Sequence, residues 1–168
     1  MLINYFRVKD KYYYCPIMAL KIYILTLRML LNISYNDIEQ KKEIDKLVGK
    51  PFSIKERLQM GGIGSEKLII SSASVNIKNL LLLDNNINKC NIELRPKGVI
   101  VYFRSLLETY GLIIPYFKLK IYKGKAEEYS IYKDSLYIKV LADKKSIHKF
   151  FKKVIKKRLA NSLPSIDE

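Results

Sequence analysis

Only two cysteines, Cys15 and Cys90, stand in 168 residues, far apart and without CxxC spacing. A disulfide framework and a cysteine-based zinc site are thereby excluded. Histidine is scarcer still. His148 stands alone, so a histidine-rich metal site has no ligands, and a Ser-His-Asp triad has this one residue to draw on. HExxH spacing is absent. Acidic residues are few, 16 against 31 lysines and arginines. Outside the C-terminal tail only Glu127 and Glu128 are neighbours, and on a strand start such neighbours point to opposite faces, a poor acid–base dyad. Asp37, Glu39, Glu43 and Asp45 share one short predicted helix. There they balance the helix dipole and pair with Lys41, Lys42 and Lys46. These gaps imply a protein that is not an enzyme, with no cofactor, no metal and no small-molecule substrate.

Long apolar runs are missing as well. Residues 16–33, PIMALKIYILTLRMLLNI, are strongly apolar but carry Lys21 and Arg28, which share one face of a helix. A membrane span needs about 20 apolar residues and central charges are costly there. A signal peptide needs an unbroken apolar core and a small-residue cleavage site. The segment reads instead as an amphipathic helix, buried or lying at a membrane surface. It belongs to a helical extension spanning residues 1–62, and Met18 is an alternative start that would leave 1–17 outside the natural protein.

What the chain does have is positive charge and apolar mass. Net charge is +15 and 49% of residues are hydrophobic. The length suits one domain with extensions and a sizeable core. The charge favours nucleic acid, anionic lipid or an acidic protein. Lysine together with abundant Ile, Asn and Tyr is also what an AT-rich coding bias supplies.

Local signals place the elements. A helix is predicted over residues 37–48, with Asn36 as N-cap, Glu39 as its capping-box partner and Gly49 as the stop. A shorter one covers 54–60, with Ser53 and Glu56 repeating the capping box, Pro51 before it and Gly61-Gly62 after it. The glycines of MGGIGS follow a helix and lack GxxxxGK[ST], so they are a cap and linker, not a phosphate loop. From Glu66 the pattern changes to period two, predicting strands at 68–70, 74–82 and 87–94. Arg95-Pro96-Lys97-Gly98 is a turn leading to a partner strand at 99–103. Arg95 and Arg104 flank this hairpin, where each can grip a phosphate or pair with Glu93 or Glu108. A strand over 113–122 puts Phe117, Leu119 and Ile121 on one face and Tyr116, Lys118, Lys120 and Tyr122 on the other. Pro115 confines its part of that strand to an edge, a bulge or the start. A further hairpin, 129–132 with 136–140, turns at Lys133-Asp134-Ser135. Residues 143–161 form a basic amphipathic helix with Ile147, Phe150, Phe151, Val154, Ile155 and Leu159 as its apolar stripe. His148 sits within it as a surface residue. Residues 162–168 are a short acidic tail. The fold class is α+β, with helices first, then antiparallel strands, then one closing helix.

The segments IELRPKGVIVYF, LIIPYFKLKIYKG and EYSIYKDSLYIKV and the helix after them resemble bacterial pleckstrin-homology-like domains. The resemblance covers roughly residues 87–159 and rests on pattern. It implies a bent antiparallel sheet, or partly open barrel, plugged by the C-terminal helix, with 63–161 as the domain. It also implies a binding module attached to membranes or proteins.

The candidate site is a basic–aromatic surface. Lys118, Lys120, Lys133 and Lys139 supply cations from the strands, and Lys149, Lys152, Lys153, Lys156, Lys157 and Arg158 supply them from the helix. Tyr116, Tyr122, Tyr132 and Tyr137 supply rings, which stack on bases or lie at lipid headgroups. The expected partner is an anionic surface: a membrane face, for a cytoplasmic protein peripheral at the inner membrane, or an acidic membrane-associated protein. The alternative is a basic protein bound to nucleic acid or the ribosome. A half-exposed sheet also shows Lys and Tyr to water with no partner at all.

Overall fold

Helix α1 (Ile38–Val48) starts where Asp37 caps it, its carboxylate accepting the Glu39 and Gln40 amides, one residue later than the expected cap at Asn36. It ends at Gly49, whose φ of 85° is left-handed backbone that glycine adopts without strain. Helix α2 (Ile54–Gln59) carries the expected capping box between Ser53 and Glu56. The computed structural model describes residues 5–8, 11–14, 30–83, 87–124 and 127–161. Of the expected amphipathic helix, residues 16–29 lie outside the described part, as do the Met18 start and the tail at 162–168.

Ahead of α1 the described elements are strands, not helices. β1 (Tyr5–Val8) pairs with β2 (Lys11–Tyr14), and β3 (Leu30–Asn32) pairs antiparallel with residues 110–112. Leu30–Asn32, expected as the end of a helix, is therefore an edge strand. A partner about eighty residues away outweighs the local helical pattern, since strand formation is decided by pairing and burial more than by propensity.

The main sheet is open and wholly antiparallel, with strand order β3-β7-β6-β5-β4-β10-β9-β8. It contains β4 (Leu68–Ala73), β5 (Lys89–Arg95), β6 (Gly98–Ser105), β7 (Glu108–Pro115), β8 (Lys120–Lys123), β9 (Glu128–Lys133) and β10 (Leu136–Leu141). Two meanders, β5–β7 and β8–β10, flank β4. The turn Pro96-Lys97 joins β5 to β6 as expected, with Arg95 opposite Gly98. Gly98 is required there. A Cβ would stand 2.4 Å from the Ile114 carbonyl and 2.7 Å from Val48.

Three elements depart from expectation. Residues 74–82, expected as a strand, hold helix α3 (Val75–Leu81), because Ile77 and Leu81, one helical turn apart, are both buried. The strand expected over 113–122 is cut by a 3-10 turn at Tyr116–Lys118, directly after Pro115. That turn reverses the faces. Tyr116 is buried and donates its hydroxyl to the Arg95 carbonyl at 3.1 Å, while Phe117 is 80% exposed. Finally, β6 and β7 form a tight hairpin at Leu106-Leu107, which the sequence pattern did not mark.

The closing helix α4 (Lys145–Ala160) buries Ile147, Phe151 and Val154 in the principal core, with Phe150 partly buried beside them. Inward residues of both meanders share that core: Leu94, Val99 and Ile114 from one, Tyr129, Ile131 and Ile138 from the other. Tyr129 and Phe151 stack at 4.0 Å. Leu159, expected in the apolar stripe, is exposed. A second cluster lies on the opposite face of β6 and β7, where Ile44 and Val48 of α1 cover Ile100 and Ile113. β3 thus belongs to the sheet and α1 packs on it, and Phe52 and Ile63 both join the principal core.

Candidate anion-binding surface

Strand register decides where each candidate side chain points. In β9, Tyr129, Ile131 and Lys133 have one parity and face inward, whereas Ser130 and Tyr132 face outward. Lys120, Tyr132 and Tyr137 are direct neighbours across β8, β9 and β10, and Tyr122, Ser130 and Lys139 form the next row. The rings touch: Tyr122 and Tyr132 meet edge-on at 5.6 Å, and Tyr132 and Tyr137 lie 5.4 Å apart. Three of the expected tyrosines and two of the expected lysines therefore share one outer face.

Three expected members do not belong to it. Tyr116 is buried, and burial pushes its hydroxyl up to about 12. Lys133 is 1% exposed, and its ammonium nitrogen has no hydrogen-bond partner among the described residues. Burial lowers its pKa to about 7, against a smaller opposing pull from Asp134. It is a core lysine at the end of β9, not a surface cation. Lys118 lies in the 3-10 turn and pairs with Asp134 at 3.2 Å.

On α4 the cations divide by helical position. Lys145, Lys149, Lys152 and Lys156 recur every three or four residues and are all exposed. None of them meets a carboxylate among the described residues. Lys153 is turned toward the body, donating to the Met60 and Gly62 carbonyls, and burial lowers its pKa with Lys157 and Lys149 adding to the effect. Lys157 stands 5.5 Å over the Phe52 ring, and Arg158 is half-buried near the helix end. Lys144, just before the helix, pairs with Glu66 at 3.0 Å. His148 is not a plain surface residue, since its Nδ1 lies 3.0 Å from the Tyr129 hydroxyl.

The two basic surfaces face apart. α4 lies against the inward side of β9 through Phe151 and His148, so its lysine stripe and the outer tyrosine face are on opposite sides of that strand. One flat surface cannot touch both. The composite site expected from sequence thus separates into a helix stripe and a sheet face.

Several other polar and charged groups are paired within the fold. Arg95 pairs with Glu93 at 2.9 Å and Asp45 at 3.6 Å, and Tyr102 donates to Glu93 at 2.9 Å. Glu108 accepts from Tyr110, not from Arg104. Cys90 is buried, with its thiol pushed up to about 12. Among the described residues no helix is long and apolar enough to cross a membrane, and no group of His, Cys, Asp and Glu is placed to hold a metal. No family model, curated protein or solved structure matches the chain.

Proposed function

We propose that this protein is a non-enzymatic binding module of the pleckstrin-homology-like kind, peripheral at an anionic membrane face. The observation that carries the reading is the stripe Lys145, Lys149, Lys152 and Lys156, exposed and, among the described residues, without a carboxylate partner. Four like charges held in line on a rigid helix repel one another in water, and an anionic surface relieves that repulsion. Each lysine brought to anionic lipid contributes about 1 kcal/mol, so the stripe raises partitioning by up to about a thousandfold. An open antiparallel sheet with a C-terminal helix packed on its core is the architecture that supports the reading.

The test is cosedimentation with vesicles of equal parts phosphatidylcholine and phosphatidylglycerol. The parent protein should pellet with them, less so as salt rises, and changing the four lysines to Gln should release it without altering its melting temperature. A parent protein that stays in the supernatant at low salt would overturn the reading.

A nucleic-acid role is favoured by a separate observation, the touching rings of Tyr122, Tyr132 and Tyr137 beside Lys120 and Lys139. Such a platform suits stacked bases of a single strand. It predicts RNA affinity lost in Tyr132→Ala and retained when the helix lysines are changed. The reverse pattern excludes it.

A further inference from the structure

Turns of two residues between antiparallel strands favour Gly, Asn or Asp, because one or both positions need positive φ. The β6–β7 turn breaks that rule. Leu106 sits at φ 55°, and Leu106 and Leu107 are 56% and 89% exposed. A leucine gains nothing by this in water: the backbone is strained and the side chain is unburied. Where a chain contradicts its own local rules without a gain in folding, a functional site is the usual reason.

The surroundings of the tip point to its partner. A groove of about 640 Å³ beside it is lined by Lys67, Ile87, Lys89, Arg104 and the two leucines, and every charged lining residue is a cation. Lys89 stands opposite Ile69 and Arg104 opposite Thr109, on the outer face of the sheet. Some cations elsewhere are paired: Arg95 with Glu93 and Asp45, Lys118 with Asp134, Lys144 with Glu66. Lys67, Lys89 and Arg104 meet no carboxylate among the described residues. Behind the tip the Ser105 hydroxyl donates to the Leu80 carbonyl at 2.6 Å, which fixes the hairpin base against α3.

We propose that Leu106 and Leu107 enter the lipid leaflet while Lys67, Lys89 and Arg104 hold anionic headgroup phosphates in the groove. This inference rests on the membrane reading above and names the element that penetrates. Apolar side chains beside a groove of cations match a leaflet, where phosphates lie just outside the acyl region. Nucleic acid would satisfy the cations but leave both leucines in water.

The chain has no tryptophan, so L107W introduces a single reporter at the tip. With phosphatidylcholine–phosphatidylglycerol vesicles its emission should shift to the blue and be quenched by bromine-labelled acyl chains. The double variant L106N/L107S should keep its melting temperature or raise it slightly, because Asn tolerates left-handed backbone, and lose about ten- to a hundredfold in vesicle partitioning. If the protein pellets with vesicles while the tryptophan stays water-exposed, or if the double variant binds as tightly as its parent, the groove belongs to a protein or nucleic-acid partner and the proposal is wrong. If no form pellets, it is the membrane reading itself that falls, and the insertion falls with it.

Discussion

The two meanders are built alike and buried differently. In β5–β7 the central residues of β6 and β7 are covered on both faces, by the principal core on one side and by α1 over Ile100 and Ile113 on the other, while Lys89 and Arg104 stay exposed on the outer face. β8–β10 is covered on its inward face only, and its outer face shows lysine and tyrosine. The sequences record this. GVIVYF and GLIIP are continuous apolar runs, as in any strand buried twice, whereas EYSIYK and LYIKV alternate. Function needs a face that the fold leaves open, and a meander with one free face can offer it.

The sharpest test of that contrast begins in the shared core. Phe151→Ala removes the ring stacked on Tyr129 and should destabilise by about 3–5 kcal/mol in denaturant titration. A loss below about 1 kcal/mol would mean that α4 is not what joins the meanders. Outer-face substitutions should then separate them. Ile113→Ala, beneath α1, should cost about 2–5 kcal/mol, while Tyr132→Ala, on the open face, should cost about 1 kcal/mol or less. Equal effects would erase the distinction.

Lys133 gives a smaller effect of opposite sign. Its charged form is disfavoured by burial, so Lys133→Met should raise stability at neutral pH by about 1–3 kcal/mol. The pH dependence follows from the shift from 10.5 to about 7. Between those values the unfolded chain holds a proton that the folded one lacks, so stability rises with pH across that window. Below it both states are charged and the full penalty is present. Lys133→Met should flatten the rise, and an unchanged slope would place the lysine in water. Last, Leu106→Asn should stabilise by about 0.5 kcal/mol by relieving left-handed backbone. A loss of stability there would show that the turn leucine is packed after all.

Much of the fold was legible where side-chain chemistry acts locally. Ser53 with Glu56 and Pro96 with Gly98 each mark a boundary by a mechanism that needs no distant partner. Legibility failed where a distant contact decides. Leu30–Asn32 is a strand because β7 is there, and Val75–Leu81 is a helix because Ile77 and Leu81 find the core together. The 3-10 turn after Pro115 inverted the faces of Tyr116 and Phe117, a one-residue slip of the kind that exchanges inside for outside. Part of the site was readable: Tyr132 and Tyr137 are where alternation puts them. Lys133 was readable too, since it shares the parity of Tyr129 and Ile131, but its charge argued for the surface. The leucine turn carries no turn residue, so no local signal announces it.

The sheet does not close, and its far edge is β8, the short stretch Lys120-Ile121-Tyr122-Lys123. An open strand edge is a template on which another chain can crystallise its own strand. Here a second copy arriving edge to edge would have to set lysine against lysine along only four residues. Positive charge at both ends of β8 therefore opposes the pairing of two copies through this edge.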